Sequence, residues 1–487
     1  MTETLTETQA VTRVIPSTLV FDGVAKEFGW TPVLKGVSLS IEEGEYVALM
    51  GSNGAGKTTL LRMAAGLSAP TSGSVSIAGV DMRRAGPGLR RRVGFVSHES
   101  LLYPDLTGRE NLMFHAKLFG LADPERVIEV MSDLLELGPI LDRPAGVLSR
   151  GNRQRLTLAR ALLYGPRIVL LDEPFTGLDE ESAVRLLAIL DQLVASGHTV
   201  VMTTHDRLVA ESGPRRLVVL ADGHVAVDRE LPAGQEARDA ALVTTEPAPA
   251  APEFTRPKLV LPPSRIKAAL VIAAKDLRVD FRTKDVLGSA GLFALAVLIT
   301  ASFTMPPGDK QSGAATGVLW ISILFAVILG TGRTMARESA DRGIEGLLLS
   351  PIPRDSVFIG KVLGSLVLMA AVDIVIIPLF LIMMTADGAG ANMLALIGTV
   401  ALGTVGLVIV SSLFSGIAVG SRLGESMLPL LVMPIVIPLM VGSVELTRQA
   451  LGSGDGTQMW QWLGIMAGFD LMVAVAAVAL FSFVIEE

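Results

Sequence analysis

Up to about residue 230 the chain alternates short apolar, β-branched runs with stretches of helical period. EYVALMG, RIVLLDEP and TVVMTTHD, residues 45–51, 167–174 and 199–206, read as strands. GKTTLLRMAAGL and RQRLTLARALLYG, residues 56–67 and 153–165, read as helices between them. Such alternation predicts an α/β domain with a largely parallel sheet over residues 1–231. A Pro- and Ala-rich stretch, 232–264, has no sustained apolar period and reads as a solvated linker. RIKAALVIAAKDLRVDFRTK then mixes basic residues with an apolar face, as an elbow helix along a membrane surface does. The rest of 265–487 is predicted to be an all-α transmembrane domain of about six helices, at 286–304, 316–331, 357–384, 393–419, 427–444 and 463–485. The second is short for a span, and the fifth, with Pro429, Pro434 and Pro438, is expected to be kinked or broken.

Composition sharpens this division. A mean hydropathy of +0.53 over 487 residues is too high for a soluble chain, and charge is dense before about Glu253 and sparse after it. The net charge of -7, with no long basic run, argues against a nucleic-acid partner, and zero cysteines exclude disulfides and thiolate chemistry. The N-terminus lacks the pattern of a signal peptide, so the first domain is expected to stay in the cytoplasm. Arg265, Lys267, Lys275, Arg278, Arg282 and Lys284 precede the first span, and Arg337, Arg342 and Arg354 follow the second. The loops at 305–313 and 385–392 hold one Lys and no Arg, so the positive-inside rule places both termini in the cytoplasm of a multi-pass plasma (inner) membrane protein in contact with lipid.

GSNGAGKTT supplies the first chemistry. Gly51, Ser52, Asn53, Gly54, Ala55, Gly56, Lys57, Thr58 and Thr59 directly follow a strand and open a helix, the order a phosphate-binding loop requires. Its backbone N–H groups and Lys57 are candidates for the phosphates of ATP, and the Thr58 hydroxyl for Mg2+. IVLLDEP ends a strand in two carboxylates. Asp172 is a candidate for the Mg2+ shell and Glu173 for orienting or deprotonating the attacking water. In TTHD, His205 closes another strand and is a candidate contact for the terminal phosphate.

LSRGNRQRLTLARALL, residues 148–163, resembles the signature of the ATP-binding cassette superfamily, with Ser149 and Gly151 matching and Arg150 and Asn152 departing from the commonest form. The resemblance implies an ATPase in which this helix start caps the ATP held by a second copy, and a role for Asp179 in GLD. With one such site per chain, it implies a homodimer or a pair with a similar chain. Phe28, with Trp30 as rival, falls where the family stacks an aromatic on adenine. His98 stands where the cassette pattern carries a glutamine, and is expected to be a variant residue coupling nucleotide to membrane domain. The cytoplasmic stretch ARESADRGIEGLLLSPIPR is expected to dock on the ATPase.

The membrane half, on GIEGLLLSPIPRDSVFIGKVL and LLVMPIVIPLMVGSVE, resembles the B subunit of the haem-exporter system of cytochrome c maturation, and the ATPase half its A subunit. That likeness implies ATP-driven haem handling or release of a haem-loaded carrier, with separate haem-handling membrane subunits and an extracytoplasmic haem carrier as partners. His98, His115, His198, His205 and His224, and Tyr46, Tyr103 and Tyr164, all precede the spans, leaving only Met as an axial haem ligand in the membrane half. Asp373 and Asp470 lie within spans, where a carboxylate is costly and faces a cavity, a partner helix or a polar path. Two other readings stay open: an exporter of lipid, drug or polysaccharide, and a mechanical ATPase that remodels a membrane partner without transport.

Overall fold

The computed structural model describes residues 19–178, 180–205, 213–231, 256–305, 313–340, 342–384, 392–420, 428–452 and 458–484. The chain divides into two compact units, Met1–His98 with Gly165–Arg256, and Glu99–Tyr164 with Pro257–Glu487. The cassette sequence is thus shared between them: its helical middle belongs to the same unit as the membrane helices.

The first unit holds two sheets. β1 (Leu19–Phe28), β2 (Thr31–Ile41), β4 (Ser72–Ile77) and β5 (Val80–Asp81) form an antiparallel sheet in the order β2-β1-β4-β5. β3 (Tyr46–Gly51), β6 (Val93–Val96), β7 (Ile168–Asp172), β8 (Thr199–Thr203), β9 (Arg216–Ala221) and β10 (His224–Glu230) form the main sheet, ordered β10-β9-β3-β8-β7-β6. All its pairings are parallel except that of the edge strand β10 with β9. β7 and β8 are buried at every position, as strands covered on both faces must be. In an open parallel sheet the carboxyl ends of the strands share one edge, where ligands bind. Helix α1 (Lys57–Ala64) starts at that edge, beyond β3, the short α2 (Pro87–Arg90) precedes β6, and α6 (Glu180–Ala195) lies between β7 and β8 in the chain.

In the second unit, α3 (Gly108–Phe119), α4 (Pro124–Leu135) and α5 (Arg150–Leu162) accompany an elbow helix, Arg265–Thr283, and six helices long and apolar enough to cross a membrane. These spans are Asp285–Thr304, Gly313–Ala340, Arg354–Met384, Met393–Gly420, Leu428–Ala450 and Met459–Val484, with a short loop helix, Gly343–Leu349, between the second and third. One apolar cluster runs through the unit, joining Tyr103, Leu106, Phe114 and Leu118 to Ile272, Leu347 and the spans. The elbow helix packs so closely on the third span that a Cβ at Gly360 would come within 2.8 Å of the Ala269 carbonyl oxygen.

Several expectations change. The second span does not stop near Thr331 but runs on to Ala340, because Arg337 and Glu338 find partners inside the unit. The fifth is a single helix with Pro434 and Pro438 inside it. Packed neighbours and local adjustment tolerate the lost backbone bonds there. Lys275 and Asp276 of the elbow helix are buried, although charged residues of an interfacial helix ordinarily face the solvent. The stretch expected to be a linker lies mainly outside the described residues. Its end is tied down by Val260 N–H to the Gly120 carbonyl at 2.9 Å and Ala122 N–H to the Lys258 carbonyl at 3.1 Å.

Candidate functional site

The register of the main sheet assembles the expected ATP site. Leu49 of β3 and Asp172 of β7 both pair with Thr203 of β8, and Val96 of β6 pairs with Leu171. The phosphate loop, Asp172, Glu173, His205 and His98 therefore all issue from one edge. Gly51 sits at φ 149° and a Cβ there would come within 2.3 Å of the Leu220 carbonyl oxygen, so the loop can leave β3 only through glycine. Gly54 and Gly56 also have positive φ, which turns the loop over the start of α1 and leaves its first N–H groups free of helical partners. Lys57 is buried and donates from Nζ to the carbonyl oxygens of Gly51 at 2.8 Å and Ser52 at 3.0 Å. The ammonium is held inside the loop it is expected to serve.

Thr58 Oγ1 donates to Asp172 Oδ1 at 3.1 Å, and Thr203 Oγ1 donates to the same oxygen at 2.7 Å. Two hard oxygen donors from loop and strand end, one of them an almost fully buried carboxylate, suit Mg2+. The Glu173 N–H donates to Thr203 Oγ1 at 2.8 Å, Thr176 Oγ1 donates to Glu173 Oε2 at 3.3 Å, and His205 Nδ1 lies 3.7 Å from Glu173 Oε1. Glu173 takes a left-handed backbone, φ 51°, unusual for a non-glycine residue, which turns the chain sharply after Asp172. Thr203 was not singled out from sequence. The signal lay in TTHD itself, since a strand pairing in parallel with IVLLD must place a residue beside its last carboxylate.

Other expected residues sit apart. Phe28 ends β1 opposite Thr31 and is 55% exposed, with Lys26 Nζ 5.1 Å from its ring centroid, and Trp30, at the hairpin turn, is wholly exposed. β2 reaches the phosphate loop, since a Cβ at Gly56 would strike Leu34 Cδ2. Leu34 is three residues from Thr31, about 10 Å along a strand. His98 is exposed just past β6, at the end of the first unit. Ser149 and Gly151 belong to the second unit. Ser149 caps α5, accepting from Asn152 N–H at 3.4 Å, Gly151 lies in its first turn, and the Asn152 side-chain oxygen accepts from Arg155. Asp179 lies outside the described residues.

The second unit contains a charge cluster that no motif announced. Glu338, at the end of the second span, accepts through Oε1 from both Lys275 and Lys361 and through Oε2 from Tyr103 Oη at 3.0 Å. Asp276 Oδ1 lies 2.6 Å from Lys275 Nζ and 3.0 Å from Lys361 Nζ. Lys275 Nζ also sits 3.9 Å from the Tyr103 ring centroid. Burial alone would lower the Lys275 ammonium, but Asp276 and Glu338 outweigh it and hold it above its usual value. Burial, aided by the Glu338 and Asp276 charges, raises the Tyr103 hydroxyl well above its ordinary value, so it stays a neutral donor. A cavity of about 60 Å³ beside the cluster is lined by Tyr103, Asp105, Asp280, Thr334 and Arg337 among others. Nearby, Arg282 grips Glu110 with bonds of 3.0 and 3.1 Å and donates to the Asp105 carbonyl at 2.7 Å. Glu110 at the same time completes the capping box of α3 with Thr107.

The loop helix meets the same segment. A Cβ at Gly343 would lie 3.1 Å from the Tyr103 ring, and one at Gly346 would lie 3.4 Å from His115 Cε1. His115 is buried, neither ring nitrogen is hydrogen-bonded to any of the described residues, and burial holds its ionisation well below the usual range. Two of the residues counted with the ATPase half, Tyr103 and His115, thus belong to the compact unit of the spans.

Comparison with known proteins divides the chain by family instead, and the cassette family runs across both compact units. The ABC transporter family matches over residues 34–176 and the CcmB protein family over residues 267–486. The Nod factor export ATP-binding protein I of Burkholderia thailandensis is 40% identical over 205 residues, 42% of this chain and 67% of its own length. The sn-glycerol-3-phosphate import ATP-binding protein UgpC 3 of Rhizobium etli is 39% identical over 205 residues, and the chain spans 59% of its length. The macrolide export ATP-binding/permease protein MacB 1 of Aeromonas hydrophila is 39% identical over 222 residues, 43% of this chain and 34% of its own. Among solved structures, a dimeric post-hydrolysis ATP-binding cassette bound to ADP and Pi is 32% identical and covers 44% of this chain and 99% of its own, with a TM-score of 0.41. The chain belongs to the ABC transporter family: an ATP-hydrolysing α/β cassette continued in the same polypeptide by a CcmB-like domain of membrane-spanning helices.

Proposed function

We propose that the protein is an ATP-driven transporter of the haem-exporter type acting in cytochrome c biogenesis, and that it works as a homodimer with its cassette and both termini in the cytoplasm. In this reading Lys57 and the loop N–H groups would hold the phosphates of ATP, and Thr58 and Asp172 would hold a Mg2+ that offsets their negative charge. Glu173 and His205 position the attacking water and the terminal phosphate. Phe28 supports the adenine, and Ser149, Gly151 and Asp179 serve the site of the partner copy. His98, where the chain passes from one unit to the other, carries the nucleotide state into residues 99–164. From there the Tyr103–Glu338 bond and the Glu110–Arg282 pair pass motion to the elbow helix and second span.

The haem assignment rests on one observation, the CcmB family match over 267–486 in the same chain as the cassette. The spans contain no His, Tyr or Cys, so the haem is carried by separate membrane subunits and an extracytoplasmic carrier, and ATP acts on that assembly. Deletion of the gene, followed by haem staining of c-type cytochromes and of any carrier that accumulates haem, tests the reading. Loss of mature c-type cytochromes is expected. Normal c-type cytochromes would reassign the chain to export of another cargo.

A further inference from the structure

The membrane helices carry a polar layer that ATP chemistry does not use. Thr404 Oγ1 of the fourth span donates to Asp373 Oδ2 of the third at 2.9 Å. Two residues on, Gly406 faces Asp470 of the sixth span. Asp373, Thr404 and Asp470 each lie eleven residues from a helix end, at Met384, Met393 and Met459. At 1.5 Å per residue this is about 16 Å, close to half the roughly 30 Å hydrocarbon thickness.

Asp470 differs from Asp373 in having no hydrogen-bond partner among the described residues. It is 7% exposed, and neither carboxyl oxygen makes a hydrogen bond to any of them. A Cβ at Gly406 would come within 2.1 Å of its Oδ1 and 2.7 Å of Leu439, so glycine alone leaves room for the carboxyl there. The next residues along the helix, Leu471 and Met472, are 68% and 61% exposed on the apolar exterior. An ionised carboxylate in this place would lose its hydration with no cation or donor in exchange, at a cost of several kcal/mol that a bound proton removes. We propose that Asp470, backed by Gly406, is a proton-binding site at mid-depth in the membrane half, and that it carries its proton in the arrangement described here. Separation of the sixth span from the fourth is what lets the proton exchange. None of this depends on which cargo the transporter serves.

The test uses the purified full-length protein and dicyclohexylcarbodiimide, which a protonated carboxyl attacks through oxygen while its proton passes to nitrogen. The adduct rearranges to an N-acylurea with no leaving group. Peptide mapping is expected to find the adduct on Asp470 near pH 6.5, falling about tenfold for each pH unit once the site titrates. The adduct should vanish in Asp470→Asn and persist in Asp373→Asn. Infrared spectroscopy should show a carboxylic-acid C=O band that Asp470→Asn removes, and this band decides if the reagent fails to reach the site. Asn has the shape and neutrality of a protonated Asp, so Asp470→Asn should unfold at the wild-type temperature. Absence of the acid band, an adduct yield indifferent to pH, or a large loss of stability in Asp470→Asn would each overturn the proposal.

Discussion

Tyr103→Phe tests how far the Tyr103 hydroxyl helps to fasten residues 99–164 to the membrane helices. The substitution keeps the ring, with its edge-on contact to Phe114 at 5.4 Å and the Lys275 ammonium over its face, and removes only Oη. Glu338 is 2% exposed, and Tyr103 is the donor to its Oε2. Loss of a hydrogen bond to a buried charge costs about 1.5–3 kcal/mol. The adjoining cavity of about 60 Å³ has room for water, and Asp280, Thr334 and Arg337 are among its lining residues, so a water would replace part of the bond and the lower end, about 1.5 kcal/mol, is expected. Membrane proteins seldom unfold in two states, so the quantity to measure is the coupling between Tyr103→Phe and Glu338→Gln in a double-mutant cycle on thermal unfolding. A coupling above about 1 kcal/mol is expected, with cargo-linked stimulation of ATP hydrolysis reduced and basal hydrolysis kept. Additive effects of the two substitutions, with stimulation intact in Tyr103→Phe, would refute the fastening.

Two further outcomes follow from the same geometry. Glu173→Gln is expected to retain ATP binding while phosphate release falls by about 10²- to 10⁴-fold, the usual contribution of a positioned base, and hydrolysis at the wild-type rate would remove Glu173 from that role. His115 is held neutral by burial, with the Arg160 and Lys275 charges adding to the effect, so above about pH 6.5 folded and unfolded chains carry the same charge there. As the pH falls through about 6.5 only the unfolded chain takes up the proton, and stability drops by about 1.4 kcal/mol by pH 5.5. His115→Leu should therefore show a smaller fall in unfolding temperature than wild type between about pH 7.5 and 5.5, and an identical fall would contradict the burial argument.

How much of this was legible in the sequence depends on how local the chemistry is. The phosphate loop, Asp172, Glu173 and His205 could be read directly, because strand, turn and helix each occupy a contiguous stretch and the parallel sheet gathers their ends without further instruction. The six spans were legible for the same reason, since a bilayer imposes a length and a composition on single helices. The end of the second span was misread because a hydropathy window stops at the first charges, whereas the helix continues wherever those charges are neutralised. The fifth span is not broken at its prolines, because neighbouring helices supply what proline removes from a lone helix.

The charge cluster was illegible for a deeper reason. Lys275 and Asp276 sit in an amphipathic stretch whose bland reading is a solvated face, and Glu338 and Lys361 lie 62 or more residues further on in segments that each look ordinary. A buried charge is tolerable only as part of a complete set, so none of the four has meaning until the others are placed beside it. That dependence also bears on the coupling proposed here. Replacing the whole set by apolar residues of similar volume would cost little stability and could even add to it, whereas removing one member leaves an unpaired charge and costs about 3–5 kcal/mol. A set this sensitive to the position of each member is poorly suited to holding two bodies rigidly together. It is well suited to registering a small displacement of residues 99–164 as a large change in energy at the elbow helix and second span.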